Sequence, residues 1–225
     1  MKKILALLLA ICCVFAVASC GKEENKDETP KTDYGTMVSA IAEVINKSNP
    51  SIIQTSTSYA VDGTTYSGLF KTQVDKSKNK AVFDFTYTRP ARVEEMNPTG
   101  ATKTVSGAVY YSDGQVSANE GDTWVGAETY YLELDVKLDA NKLKTCTVSE
   151  DGAMLTATVS PENAERIFGT KISSKGDISL VIETNKNNTY LYKISITYTA
   201  SGTNAQVSVI TDYDYGTPAH KFFKD

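Results

Sequence analysis

The chain has 225 residues, a mass of 24.4 kDa and a formal net charge of −4. This length suits one or two domains with a sizeable core. The mildly acidic charge argues against nucleic-acid binding, which requires clustered Lys and Arg side chains. The single histidine, His220, excludes His-rich metal sites and disfavours acid–base chemistry that depends on histidine.

The N-terminal residues predict export and lipidation. Two lysines precede an apolar run, residues 4–17, which is too short to cross a bilayer comfortably as a helix. Small residues and then Cys20 follow, an order typical of a secretory signal peptide. Residues 17–20, Val-Ala-Ser-Cys, also resemble the bacterial lipobox. That resemblance implies that residues 1–19 are removed and that Cys20 carries acyl chains such as palmitate; the alternative is an ordinary signal peptide with a chance cysteine.

Residues 20–33 predict a flexible acidic linker between the lipidated Cys20 and the domain of residues 34–225. Residues 21–33 contain no aliphatic or aromatic side chain and carry many charges, so they have nothing to bury. This arrangement predicts a domain on the extracytoplasmic side of the cell membrane. Cys146 would be the one unmodified cysteine of the mature chain, which excludes an internal disulfide. Its strand-like surroundings favour a buried structural thiol over a nucleophile.

Two helices are predicted within the domain. The first begins at Tyr34, because apolar residues then recur on one face at helical spacing, and it ends before Asn49 and Pro50. The second is short, with Ser160 as its N-cap, Pro161 at its first position and Gly169 as its stop.

The remaining residues predict strands, because Thr, Val, Ile and Tyr dominate and dipeptides such as Asp62 and Gly63 are typical of hairpin turns. Because most connections are short, we expect an antiparallel meander of about eleven strands. The predicted segments, one or two of which should merge or move, lie near residues 51–61, 64–74, 81–88, 103–111, 115–119, 123–127, 129–138, 143–149, 153–159, 177–184, 189–200 and 204–214.

The predicted sheet has one apolar, aromatic face and one polar face, because large apolar residues alternate with charged residues and threonines along the strands. Its apolar face would measure on the order of 1,100 Å², whereas the two helices would cover about 350 Å². Soluble proteins avoid so large an exposed apolar patch. We therefore expect a mainly β (α+β) fold in which a single curved sheet forms an unclosed barrel, with both helices in its concave face.

This order of elements resembles the LolA/LolB superfamily, which includes LppX- and LprG-type lipoproteins. Besides the lipobox, the resemblance rests on a hairpin at residues 108–114 with the Trp-containing residues 122–125, and on a late hairpin at 179–198. It covers roughly residues 34–215. It implies an unclosed barrel that binds acyl chains or lipoproteins non-covalently in a hydrophobic cavity, and it transfers no individual binding residue.

The inward-facing aromatic side chains are the candidate ligand-binding residues. They either line a lipid pocket or fill a closed core, and the pattern is compatible with both. Trp124 is interpreted as a packing residue, with a sugar-stacking platform as the alternative. The candidate set consists of Phe70, Phe83, Phe85, Tyr192 and Tyr198.

The sequence thus predicts a monomeric, membrane-anchored envelope lipoprotein that binds a lipid or an acylated protein. The alternative is a protein-interaction or scaffold module with a solid core. No enzymatic activity is expected, because no nucleophile, base and metal-ligand set converges, and no cofactor or metal is expected.

Overall fold

The computed structural model describes residues 34–91, 102–124 and 132–224. The predicted signal peptide, the lipidation of Cys20 and the linker fall outside these residues and stay predictions.

Helix α1, Tyr34–Lys47, is followed by two series of strands. The first series comprises β1 Ile52–Val61, β2 Thr64–Asp75, β3 Lys80–Pro90, β4 Thr102–Ser112 and β5 Gln115–Gly121. The second comprises β6 Leu143–Val148, β7 Met154–Val159, β8 Ile178–Thr184, β9 Leu191–Thr199 and β10 Gln206–Asp214. The short helices are α2, Ala164–Phe168, and three 3-10 turns at Ala140–Lys142, Pro161–Asn163 and Lys221–Phe223.

The ten strands of the described residues form one antiparallel sheet in the order β5-β4-β3-β2-β1-β10-β9-β8-β7-β6. β1 pairs with β10, so that two five-stranded meanders join in the middle of the sheet. The two outer edges, β5 and β6, are neighbours in the sequence and do not pair. The predicted mainly β fold, with a single unclosed antiparallel sheet, an N-terminal helix and one short helix, is confirmed.

Local turn chemistry explains most element boundaries. Asp62 and Gly63 both have positive φ angles, of 48° and 75°, as the tight hairpin between β1 and β2 requires. Helix α2 ends at Gly169, whose φ of 68° lets its N–H donate to the Glu165 carbonyl at 3.0 Å. These are the features that the sequence predicts.

The strands predicted at 123–127 and 129–138 are wrong wherever the structure describes them. Thr123 and Trp124 lie outside any strand, and residues 132–138 form an extended segment that is not part of the sheet. This segment pairs with the end of α2, because the Lys137 N–H donates to the Ile167 carbonyl at 2.7 Å. Its alternating pattern reflects an extended chain with one buried side, which includes Val136, and such a pattern does not require a neighbouring strand.

We call the side of the sheet that packs against α1 the inner face. Across β7–β10 this face is aliphatic and is covered by α1, α2 and the extended segment; we call this region the aliphatic half. Across β2–β4 the inner face is mainly aromatic; we call it the aromatic half. Where β1 meets β10, the buried hydroxyls of Thr55 and Thr211 lie 3.2 Å apart and separate the two halves.

Candidate functional site

Three of the five candidate residues meet in the aromatic half. Phe70 on β2 lies opposite Phe85 on β3, and Phe83 lies two residues before Phe85 on the same inner face. Tyr87, on the same side of β3, joins them. Phe70, Phe85 and Tyr87 are only 1 to 2 % exposed. The Phe70 and Phe83 rings are nearly parallel, with their centroids 6.4 Å apart.

Trp124 lies against these rings. Its ring centroid is 5.0 Å from that of Phe85, 5.1 Å from that of Phe83 and 5.9 Å from that of Phe70. The contacts to Phe70 and Phe83 are edge-to-face, an arrangement that favours aromatic pairs. Trp124 is the only tryptophan in the sequence, and sequence reasoning assigned it to packing without identifying these partners.

The turn after β5 directs the chain toward the inner face. The Asp122 N–H donates to the Ser106 carbonyl at 2.9 Å, and the Asp122 carboxylate accepts the Ser106 N–H at 2.9 Å. Gly107 permits this approach, because a Cβ atom there would lie 2.5 Å from the Asp122 carbonyl oxygen and 2.8 Å from Phe85 Cζ. Trp124 follows two residues after Asp122.

The other two candidates lie elsewhere. Tyr198 on β9 is partly buried against the aliphatic core, and that burial raises the pKa of its hydroxyl. Tyr192 does not face the core as predicted: it is 50 % exposed. A bulge between Glu183 and Thr184 pairs Thr184 with Leu191, which takes the buried place. Neither tyrosine joins the phenylalanine cluster.

Tyr192 belongs to a separate surface cleft of about 270 Å³, which we call the tyrosine cleft. The centroids of the Tyr190 and Tyr215 rings lie 4.9 Å apart, and the ring planes meet at 55°. The Tyr215 hydroxyl is 3.1 Å from both Ser48 Oγ and the Leu191 carbonyl oxygen. The cleft is lined by Tyr190, Tyr192, Tyr213, Asp214, Tyr215 and Gly216.

A third feature lies on the outer face, where the C-terminal residues pack against β3 and β4. Phe223 is buried with Val82 and Tyr110. In a polar cleft of about 300 Å³ beside them, the Tyr110 hydroxyl donates to Glu120 Oε2 at 2.6 Å. This bond raises the pKa of Tyr110 to about 12 and lowers that of Glu120.

His220, which lines the same cleft, has a structural role. Its Nδ1 accepts the Phe222 N–H at 3.2 Å and thereby caps the last 3-10 turn, while its Nε2 lies 3.9 Å from Asp84 Oδ1. Burial raises the pKa of the Cys146 thiol, which disfavours the thiolate form that a nucleophile needs.

Two further observations concern metals and membranes. Among residues 34–91, 102–124 and 132–224, no three or more His, Cys, Asp or Glu side chains converge to hold a metal ion. The same residues contain no helix with the length and apolarity needed to cross a bilayer.

No family model matches the chain, and no curated protein matches its sequence. Among solved structures, the chain is similar to the Mycobacterium tuberculosis lipoprotein LppX, with a TM-score of 0.39 and 10 % identity over 84 % of this chain and 99 % of that chain. It is also similar to the Pseudomonas aeruginosa MucA/MucB complex, with a TM-score of 0.31 and 11 % identity over 86 % of this chain and 61 % of that chain. A third similar structure is the Chlamydia trachomatis hypothetical protein CT021, with a TM-score of 0.30 and 10 % identity over 80 % of this chain and 96 % of that chain.

LppX is of the type that the sequence resembles. At these TM-scores the likeness carries no argument about function.

Proposed function

We propose that this chain is a membrane-anchored envelope lipoprotein whose β domain binds a hydrophobic ligand, a lipid or an acylated protein, on its aromatic half. One observation carries the proposal. Phe70, Phe83, Phe85 and Tyr87 form a continuous aromatic surface on β2 and β3, and Trp124, which lies outside the sheet, packs against all four rings.

The aliphatic half is unsuited to this role because it is already filled. Ile167 and Phe168 of α2 and Ile41 of α1 are fully buried against the strands. A ligand there would have to displace a helix, at a cost of several buried side chains. In the aromatic half, by contrast, an acyl chain would lie on the rings of β2 and β3 and displace side chains such as that of Trp124.

The proposed anchor is the acylated Cys20, joined to the domain by residues 21–33. Two or three acyl chains would hold the protein durably at a bilayer, since each buried CH₂ group contributes about 0.8 kcal/mol. A Cys20→Ala variant is expected to leave the membrane fraction. Continued fractionation of this variant with membranes would contradict the anchor and leave the ligand site untouched.

The ligand site is tested through Trp124, whose fluorescence reports on its own surroundings because the chain has no other tryptophan. The full chain carrying Cys20→Ser, so that it brings no acyl chains of its own, is titrated with palmitate. We expect a saturable change in Trp124 emission, and we expect lipid in extracts of the native protein by mass spectrometry.

Phe83→Ala should weaken palmitate binding, because this ring is the least buried of the three phenylalanines. The matched control is Leu69→Ala, which removes an apolar side chain on β2 that is 46 % exposed and adjacent in sequence to Phe70. A site on the aromatic half would be refuted if the Cys20→Ser chain did not bind palmitate. It would also be refuted if Leu69→Ala weakened palmitate binding as much as Phe83→Ala.

A second candidate, an interaction or scaffold module, is favoured by a different observation. All seven residues of the edge strand β5 are exposed, and an exposed edge can pair with a strand of another protein. Native protein without extractable lipid, together with a Trp124 signal that palmitate leaves unchanged, would favour this candidate.

A further inference from the structure

The tyrosine cleft has the composition of a binding site, and it contains no residue of the aromatic cluster. It lies at the ends of β9 and β10, in the aliphatic half of the sheet. Tyr190 and Tyr192, which flank the buried Leu191, are 48 % and 50 % exposed and line the same cleft. Large apolar surfaces exposed side by side mark a binding function more often than isolated ones do.

Two of the rings are held in place by the rest of the fold. The Tyr215 hydroxyl contacts Ser48, directly after α1, and the Leu191 carbonyl at the start of β9. Tyr213 is partly buried against the aliphatic core. These rings therefore present a preformed surface, which reduces the ordering cost of binding.

The angle between the rings restricts the shape of the ligand. A sugar ring stacks best on one flat aromatic face, whereas the 55° between Tyr190 and Tyr215 forms a corner. Several aromatic faces set at angles suit a compact, rounded group, and their negative π-faces attract a cation.

The charge at the cleft agrees with a cationic ligand. Asp214 lines the cleft, and its Oδ1 accepts the Gly216 N–H at 2.8 Å, which holds the carboxylate in position. Lys193, which follows Tyr192, lies 3.7 Å from Glu183 and 4.0 Å from Asp212 and is thus engaged by other carboxylates.

We propose that the tyrosine cleft binds an organic cation, a trimethylammonium group, between its tyrosine rings and the carboxylate of Asp214. The group is carried either by a lipid headgroup or by a small soluble molecule. This site is separate from the proposed hydrophobic site and does not depend on it.

The test uses the full chain carrying Cys20→Ser and follows choline binding by isothermal titration calorimetry. We expect saturable choline binding with a Kd of about 1 mM. The decisive control is 3,3-dimethyl-1-butanol, a neutral isostere of choline with carbon in place of nitrogen. Its Kd should be at least about fivefold higher than that of choline. Absence of saturable choline binding, or equal binding of the isostere, would overturn the proposal.

Variants locate the site. Tyr190→Ala and Tyr192→Ala should each weaken choline binding by about fivefold, while Tyr192→Phe, which keeps the ring, should preserve it. The matched control is Tyr66→Ala, which removes one ring of another tilted tyrosine pair, Tyr59 and Tyr66, elsewhere on the sheet. If Tyr66→Ala weakened choline binding as much as Tyr190→Ala, the assignment to the tyrosine cleft would be overturned.

Vesicle flotation distinguishes the two sources of the cation. Flotation with phosphatidylcholine but not phosphatidylglycerol vesicles, abolished by Tyr190→Ala, would assign a lipid headgroup. Choline binding without flotation would assign a soluble ligand. Trp124 emission should stay unchanged during the choline titration, which separates this site from the aromatic half.

Discussion

The two halves of the sheet bury their inner faces by different means. In the aliphatic half, Leu180, Ile182 and Ile194 are fully buried under α1, α2 and the extended segment. In the aromatic half, the rings of β2 and β3 pack against one another and against Trp124. The same strand alternation thus yields one region whose core is shared with helices and another whose core is made mainly of rings carried by the strands themselves.

The largest expected difference between the halves comes from core truncation. Leu180→Ala should lower the free energy of unfolding by about 3 kcal/mol, because it leaves a cavity between the sheet and its helices. Urea denaturation measures the loss. Palmitate binding to the folded variant should stay at the parent value, and a binding defect as large as that of Phe83→Ala would break the functional separation of the halves.

Gly107→Ala tests how the aromatic half is covered. The new Cβ atom would collide with the Asp122 carbonyl oxygen and the Phe85 ring, so we expect a loss of about 2 kcal/mol and a red-shifted Trp124 emission. The control is Gly176→Ala, because nothing lies within 4 Å of a Cβ atom there. Unchanged emission in Gly107→Ala would show that the turn does not position Trp124.

The boundary between the halves should respond more weakly. Thr55→Val leaves the buried Thr211 hydroxyl without its 3.2 Å partner and should cost about 1 kcal/mol. The double variant Thr55→Val with Thr211→Val removes both hydroxyls and should recover most of that loss. Additive losses, measured by chemical denaturation in a double-mutant cycle, would contradict a direct coupling across the boundary.

The smallest effect is expected on the outer face of the aromatic half, where pH should control attachment of the C-terminal residues. The pKa of Tyr110 rises from 10.0 to about 12, so its contribution is complete below pH 10 and is lost as pH rises from there through 12. The pKa of Glu120 falls below 4.5, so its contribution is present above pH 4.5 and is lost as pH drops further.

Limited proteolysis near residue 220 should therefore be slowest between pH 4.5 and 10. Tyr110→Phe, which removes the hydroxyl that bonds to Glu120, should flatten this profile. A parent profile that is already flat across this range would show that the Tyr110–Glu120 bond does not hold the segment.

Local signals predicted most of the fold, since the Asp-Gly turns, the Gly169 stop of α2 and the strand alternation are properties of neighbouring residues. The pairing of β1 with β10 depends on contacts across the whole domain and has no local signature. The bulge that leaves Tyr192 exposed is a register shift of the backbone, and alternation alone placed that ring in the core. Alternation likewise made residues 132–138 resemble a strand.

For the candidate site, the sequence predicted that Phe70, Phe83 and Phe85 share one face of the sheet, because period-two spacing on adjacent strands is enough to place them there. It did not place Trp124 over them, since that position depends on a turn made possible by Gly107. The tyrosine cleft was missed because its members come from the start of β9 and the end of β10 and from residues just outside these strands, which meet only when β9 and β10 pair.

The central pairing of β1 with β10 also sets an order of events during biosynthesis. Ile52 leaves the ribosome early, whereas its partner Asp214 is made only after strands β2 to β9. Each meander can begin to form from near neighbours, but the two can join only after β10 has been made. A nascent chain released before residue 206 would lack the whole strand that joins them, so premature termination should yield two unjoined sheets instead of a shortened barrel.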